Sequence, residues 1–112
     1  MATKQDVIRR VLRTLQIIRA GQDVPGDMYT EVLERFNSYL LGLNEECSLD
    51  FDPLADSIPD ERVFFLEMAF SQIVSPSYGK PFSEALLERY ERKFFASILG
   101  ESDHIEPEVS NF

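Results

Sequence analysis

The chain has 112 residues, which fits one domain with a single small core. Hydrophobic residues make up 44% and charged residues 28%, as in globular proteins, and the single cysteine and single histidine exclude an internal disulfide and the usual intramolecular zinc site. The formal net charge of −9 argues against a protein that wraps nucleic-acid phosphates, and no apolar run approaches the ~20 residues of a membrane span, so we expect no membrane partner.

The first half of the chain predicts two amphipathic helices. The first begins after Thr3, a good N-cap with Asp6 three residues later, and its apolar stripe runs from Val7 to Ile18. We expect this helix to end near residues 20–21, where a glycine can cap it. The second begins at Pro25, a residue suited to the first helical position, and runs to about residues 44–46.

Residues 45–60, which we call the acidic connection, join the second and third helices. The segment has no helical stripe, so we expect a loop held by apolar anchoring side chains. Long structureless connections are uncommon in compact domains and are often functional. We expect this one to contact another subunit, with Phe51 as the interface candidate.

The third helix is expected to be the central, buried one. Ser57 is its predicted N-cap, and the residues from Val63 to Val74 are apolar on nearly every face. Six of these side chains cannot all face inward within one monomer: Phe64, Phe65, Leu66, Met68, Phe70 and Ile73. We therefore expect at least one of them, or Phe94 or Phe95 of the fourth helix, to lie at a subunit interface.

The fourth helix is predicted from Ser83 to Leu99, with Gly100 as its C-terminal cap. The result is an all-α fold, a small bundle of four main helices over residues 1–100. Residues 101–112 have four acids, no base and three apolar side chains, too few to hold them on the domain, so we expect an extended acidic arm that docks on a partner. A frayed end without a role is the alternative. The expected contacts of this arm are Ile105, Val109, Phe112, Glu101, Asp103, Glu106 and Glu108.

Charge is distributed unevenly along the sequence. Residues 1–20 contain five basic and one acidic side chain, whereas residues 21–61 contain one basic and eleven acidic. Faces of opposite sign steer association with a partner or with another copy of the chain. Acidic loops that only keep a small domain soluble would give the same composition.

The order of motifs resembles a known family. The sequence TKQD at residues 3–6 opens a basic helix, SIPD at residues 57–60 leads into a hydrophobic helix, and that helix ends in IVSPSYGK at residues 73–80. Over roughly residues 3–99 the chain resembles the tail accessory factors of short-tailed bacteriophages, which are head-to-tail adaptors. It is also similar in helix order and size to the head-completion connectors of long-tailed phages.

The resemblance implies a structural virion protein rather than an enzyme. It implies a homo-oligomeric ring, expected to be a dodecamer, between the portal protein and the tail or nozzle protein. Genomic DNA would pass through the channel without sequence-specific binding, and the C-terminal arm would reach onto the portal. The expected location is the head-to-tail interface of the virion, after synthesis in the host cytoplasm. The candidate subunit-interface residues are Arg9, Arg10, Arg13, Phe51, Phe94 and Phe95.

Two other functions remain open. A cell-wall hydrolase would need a pair of carboxylates, which the acidic connection offers among Glu45, Glu46, Asp50 and Asp52, although a solvated loop is the simpler interpretation. A small helical DNA-binding regulator would place Arg9, Arg10 and Arg13 on phosphates, but no helix is rich in the side chains that read bases.

Enzyme motifs are missing from the sequence. There is no glycine-rich phosphate loop and no nucleophile elbow. Cys47 follows two glutamates and lacks the basic neighbours that activate a thiolate, and His104 lies among acids in the predicted arm. We therefore expect no catalytic residue, no cofactor and no metal.

Overall fold

Four α-helices dominate the computed structural model of the chain, which describes residues 1–100. They are α1 (Lys4–Thr14), α2 (Gly26–Glu46), α3 (Asp60–Val74) and α4 (Glu84–Leu99). The predicted all-α fold is confirmed. The predicted acidic arm at residues 101–112 lies outside the described residues.

The N-terminus of α1 is capped as the sequence predicts. Thr3 Oγ1 accepts a hydrogen bond from the Asp6 backbone N–H at 3.1 Å, and the Thr3 N–H donates to Asp6 Oδ2 at 3.3 Å. This reciprocal capping box satisfies two donors that the helix cannot pair internally. The backbone hydrogen bond from Thr3 also holds the pKa of Asp6 below its ordinary value.

Two short strands tie the chain start to the end of the acidic connection. β1 (Ala2–Thr3) pairs antiparallel with β2 (Ser57–Ile58), with Thr3 opposite Ser57. The prediction that Ser57 caps the third helix is therefore wrong, since Pro59 occupies that position without a side-chain hydrogen bond. A two-residue strand has no alternation that a sequence pattern can reveal.

The end of α1 differs from the prediction. The helix stops at Thr14, well before the glycine expected to end it, because Gln16 adopts a left-handed conformation with φ 61°. The Ile17 N–H donates to the Leu12 carbonyl at 2.9 Å, which completes a Schellman-type reversal. Ile18 is still buried, so the apolar pattern outlasts the helix that it predicts.

Helix α3 is central, as predicted, and contacts each of the other three helices. The Phe70 ring lies 4.7 Å from that of Phe36 and 5.9 Å from that of Tyr39, both on α2. Aromatic pairs at such distances add to the burial of apolar area. The largest fully buried side chains are Phe36, Phe70, Phe94, Ile8, Leu12, Leu40, Ile58, Leu66, Val7, Val11, Val32 and Val74.

An arginine of α2 caps the end of α3. Arg35 donates to the Ile73 carbonyl at 3.0 Å and to Ser77 Oγ at 2.7 Å. A cation at a helix C-terminus satisfies unpaired carbonyls and opposes the helix dipole. The chain then continues through a 3₁₀ helix, Ser75–Tyr78.

Helix α4 begins and ends as predicted. Ser83 Oγ accepts a hydrogen bond from the Leu86 N–H at 3.2 Å, and Gly100 closes the helix with φ 75°. Gln72 of α3 accepts a hydrogen bond from the Ser83 N–H at 2.9 Å. This bond fixes the start of α4 beside the end of α3, so the two helices run antiparallel.

Candidate partner-binding surfaces

A buried lysine anchors the acidic connection. Lys4 is only 3% exposed, and its Nζ donates to Asn37 Oδ1 at 2.7 Å and to the Pro53 carbonyl at 2.8 Å. Burial lowers the pKa of the Lys4 ammonium, while the charges of Asp56 and Asp52 raise it. The sequence pattern did not reveal this anchor, because a lysine in the first turn of a helix is ordinarily solvated.

A second anchor joins the acidic connection to α3 and α4. The Arg62 guanidinium donates to Asp50 Oδ2 from Nη2 at 2.6 Å and from Nε at 3.2 Å, and to Ser97 Oγ at 3.4 Å. The hydrogen bond from Arg62 holds the pKa of Asp50 below its ordinary value, and the same bond raises the pKa of Arg62. Phe51, an interface candidate, is half-buried and packs against the monomer core.

Between these anchors the connection makes a tight turn, Asp52 to Asp56, which we call the Leu54 turn. Asp52 Oδ1 accepts a hydrogen bond from the Leu54 N–H at 2.9 Å, and the Asp52 carbonyl accepts one from the Ala55 N–H at 3.1 Å. Leu54 is nevertheless 65% exposed, and both flanking carboxylates are exposed as well. The turn therefore presents an apolar side chain on an anchored backbone, between two negative charges.

The basic residues of α1 are partly neutralised by the chain itself. Arg9 lies 3.7 Å from Asp6, and Arg10 lies 3.1 Å from Glu67 of α3. Burial raises the pKa of Glu67, and the charge of Arg10 opposes that shift. Arg13, the third predicted interface arginine, is half-buried in the last turn of α1.

The two adjacent phenylalanines of α4 differ in burial. Phe94 is 1% exposed and lies inside the monomer core, so its side chain offers no surface to a neighbouring subunit. Phe94 is thus corrected from interface candidate to core residue. Phe95, whose ring lies 5.6 Å from that of Phe94, is only half-buried and keeps part of its surface accessible.

Helix α3 does not bury all its aromatic side chains, which confirms the prediction that they cannot all face inward within one monomer. Phe64 is 57% exposed, and its ring lies 6.4 Å from that of Tyr90 on α4. One turn before Tyr90, Leu86 is 38% exposed. Arg89 and Lys93 follow on the solvent side of these residues, and within residues 1–100 neither has an ion pair. We call these five residues the α4 face.

The surface of residues 1–100 also contains two open clefts. One of about 270 Å³ lies beside Phe64 and the Arg10–Glu67 pair. The other, of about 540 Å³, lies between α2 and α3. Next to it the Tyr39 hydroxyl donates to Glu91 Oε2 at 2.7 Å, and burial raises the Tyr39 pKa. The second cleft is lined by Glu34, Arg35, Ser38, Tyr39 and Ile73.

The carboxylates considered for hydrolysis do not converge on these clefts. Asp50 is bound by Arg62, and Asp52 accepts a backbone hydrogen bond, while Glu45 and Glu46 are exposed at the end of α2. A general acid needs a raised pKa, whereas that of Asp50 is lowered. Within residues 1–100 no group of His, Cys, Asp or Glu side chains forms a metal site.

The predicted arm contacts lie outside the described residues. These are Glu101, Asp103, Ile105, Glu106, Glu108, Val109 and Phe112, and the same is true of His104. None of the helices described here is both long and apolar enough to cross a membrane.

No family model, curated protein or solved structure matches the chain.

Proposed function

We propose that the chain is a structural virion protein, a head-to-tail adaptor of a tailed bacteriophage. In this role it forms a ring, expected to be a dodecamer, that docks on the portal, extends the DNA channel and joins it to the tail or nozzle. It would be made in the host cytoplasm and reside at the head-to-tail interface of the virion.

The observation that carries this proposal is the α4 face. A small domain with a well-filled core leaves Phe64 and Leu86 exposed beside the positive charges of Arg89 and Lys93. Exposed apolar patches rimmed by polar residues mark protein–protein contacts in soluble proteins. This supports an assembly role more directly than a catalytic one.

The charge of the chain supports passage of DNA rather than binding. With 20 acidic and 11 basic residues, a ring of this protein has an acidic surface overall, which repels phosphates and lets a duplex slide. The alternative, a DNA-binding regulator, loses support because Arg9 and Arg10 already pair with Asp6 and Glu67.

The C-terminal segment is assigned to the portal contact. Ile105, Val109 and Phe112 are its apolar anchors, and its four acids would meet Lys or Arg side chains of the portal.

The proposal is tested by mixing the purified chain with the portal protein encoded in the same genome. We expect a ring of adaptor copies on the portal by cryo-electron microscopy, and the same density at the portal vertex of virions. A chain that neither binds the portal nor is present in virions contradicts the proposal.

A triple variant, I105S/V109S/F112S, should lose portal binding. Leu41→Ser, which removes an exposed leucine of α2, is the matched control and should bind like the parent chain. Full portal binding by the triple variant would refute the role assigned to the arm. It would not bear on ring formation, which the cryo-electron microscopy images test separately.

A further inference from the structure

We infer that the Leu54 turn of one copy docks on the α4 face of the next copy. This inference rests on the ring proposed above and names the surfaces that build it. The two partners are the fixed acidic turn around Leu54 and the apolar, basic surface formed by Phe64, Leu86, Arg89, Tyr90 and Lys93.

The Leu54 turn is prepared for binding before any partner arrives. Asp52 holds it from within, Lys4 holds the Pro53 carbonyl through Nζ, and the Lys4 backbone N–H donates to the Asp56 carbonyl at 2.8 Å. The backbone of the five-residue turn is thereby fixed, and its central leucine faces solvent. Because the backbone is already ordered, docking of Leu54 loses little conformational entropy.

The α4 face offers what this turn lacks. Phe64, Tyr90 and Leu86 provide apolar surface for one leucine side chain. Arg89 and Lys93, one turn apart on α4, provide two positive charges on its rim. The turn has two negative charges, at Asp52 and Asp56, on either side of its leucine. An apolar centre with complementary charges at the rim is the usual anatomy of a protein interface.

The two surfaces occupy different parts of the molecule. Arg62 joins Asp50, just before the turn, to Ser97 near the C-terminus of α4. Leu86, at the far end of the α4 face, lies three turns earlier on the same helix and roughly 16 Å from Ser97 at the rise of an α-helix. A contact between two different patches is heterologous. Each added copy leaves one Leu54 turn (the donor surface) and one α4 face (the acceptor surface) unoccupied at the ends of the series. The series closes into a ring when the rotation between copies permits.

Two full-length variants test this arrangement. Leu54→Ser removes the donor side chain, and R89E/K93E reverses the acceptor charges. Each variant alone should weaken self-association at least about tenfold in sedimentation velocity, as expected for a central interface residue. An equimolar mixture should form a one-to-one dimer and stop there, because it contains one intact donor and one intact acceptor. Added salt should weaken both the parent assembly and this dimer.

Matched controls separate this contact from general surface effects. Leu41→Ser removes another exposed leucine, and Arg19→Glu reverses the charge of an exposed arginine outside the α4 face. Both controls should assemble like the parent chain. The variant I105S/V109S/F112S should also assemble normally, since the arm is not the occupant of this face.

The inference is overturned by any of three results. These are a parent chain that stays monomeric at its highest soluble concentration, variants that assemble like the parent, or loss of assembly in the arm variant. If the parent chain binds the portal but Leu54→Ser and R89E/K93E both assemble normally, this contact is wrong and the adaptor function stands. If the mixture forms the one-to-one dimer but the parent chain does not bind the portal, the adaptor function is wrong and this contact stands.

Discussion

Helices α1 and α4 are both amphipathic, yet the fold uses them differently. α1 has 11 residues and buries five of them, whereas α4 has 16 residues and buries only Phe94. Arg9 and Arg10 of α1 pair with acids of the same chain, while Arg89 and Lys93 of α4 have no ion pair within residues 1–100. The monomer thus buries or pairs most of the side chains of α1, whereas much of α4 stays accessible to a partner.

The largest effect on this difference between α1 and α4 is expected from truncating the single buried side chain of α4. Phe94→Ala should cost about 3–5 kcal/mol of unfolding free energy, because a fully buried phenylalanine leaves a large cavity. Phe95→Ala, next to it but half-buried, should cost markedly less. Urea denaturation followed by circular dichroism measures both, and equal losses would mean that α4 is held along its whole inner face.

The next effect concerns the buried cation of α1. Lys4→Met should cost about 2 kcal/mol, because it leaves Asn37 Oδ1 and the Pro53 carbonyl without their donor. It should also release the Leu54 turn, seen as faster amide hydrogen exchange at Ala55. Lys80→Met, at a lysine outside both the Leu54 turn and the α4 face, is the control and should change neither quantity. Unchanged exchange in Lys4→Met would show that the turn is held by its own hydrogen bonds.

A smaller effect is expected where the acidic connection meets α4. Asp50→Asn should cost about 0.5–1 kcal/mol at neutral pH, since the pair with Arg62 is partly exposed and screened by solvent. Arg62 lowers the pKa of Asp50 in the folded state, so the carboxylate stabilises the fold above its ordinary pKa of 3.8. That contribution is lost as the pH falls through the folded-state pKa.

The parent chain and Asp50→Asn should therefore converge in acid. Urea titrations at a series of pH values measure this, with Asp23→Asn, an exposed aspartate, as the control. A difference that persists in strong acid would assign the effect to packing rather than to charge.

The smallest effect is a gain in stability at the end of α1. Gln16→Gly should stabilise the fold by about 0.5 kcal/mol, because glycine adopts φ 61° without the Cβ strain of glutamine. Gln5→Gly, on the exposed side of the same helix, should have the opposite sign and cost about 1 kcal/mol. Thermal unfolding compares the two, and a loss in both variants would place the reversal under the control of the Gln16 side chain.

Local signals in the sequence predicted much of the fold. Thr3 and Ser83 cap helices as expected, since an N-cap depends on residues three apart. The end of α1 was missed because Ile18 keeps the apolar period after the backbone has reversed. Strand pairing of Ser57 was missed because its partner lies at the other end of a long segment.

The candidate surfaces were only partly predictable. The excess of apolar side chains on α3 indicated that some must be exposed, but the pattern did not tell that Phe64 would be exposed and Phe94 buried. Lys4 was missed because its partners, Asn37 and Pro53, become neighbours only in three dimensions. Residue type and spacing predict a helical face, whereas tertiary contacts decide which part of it stays free.

The contacts of Lys4 also constrain the order in which the chain can reach its final state during synthesis. The Thr3–Asp6 capping box is local and can form as soon as α1 has left the ribosome. The partners of Lys4 lie 33 and 49 residues further on, and the strand partner of Ala2 is Ile58. Contacts of high sequence separation form late, because loop closure must precede them. Residues 2–4 are therefore fixed only after the acidic connection has emerged, and until then the surface of α1 that the finished monomer buries is available to chaperones.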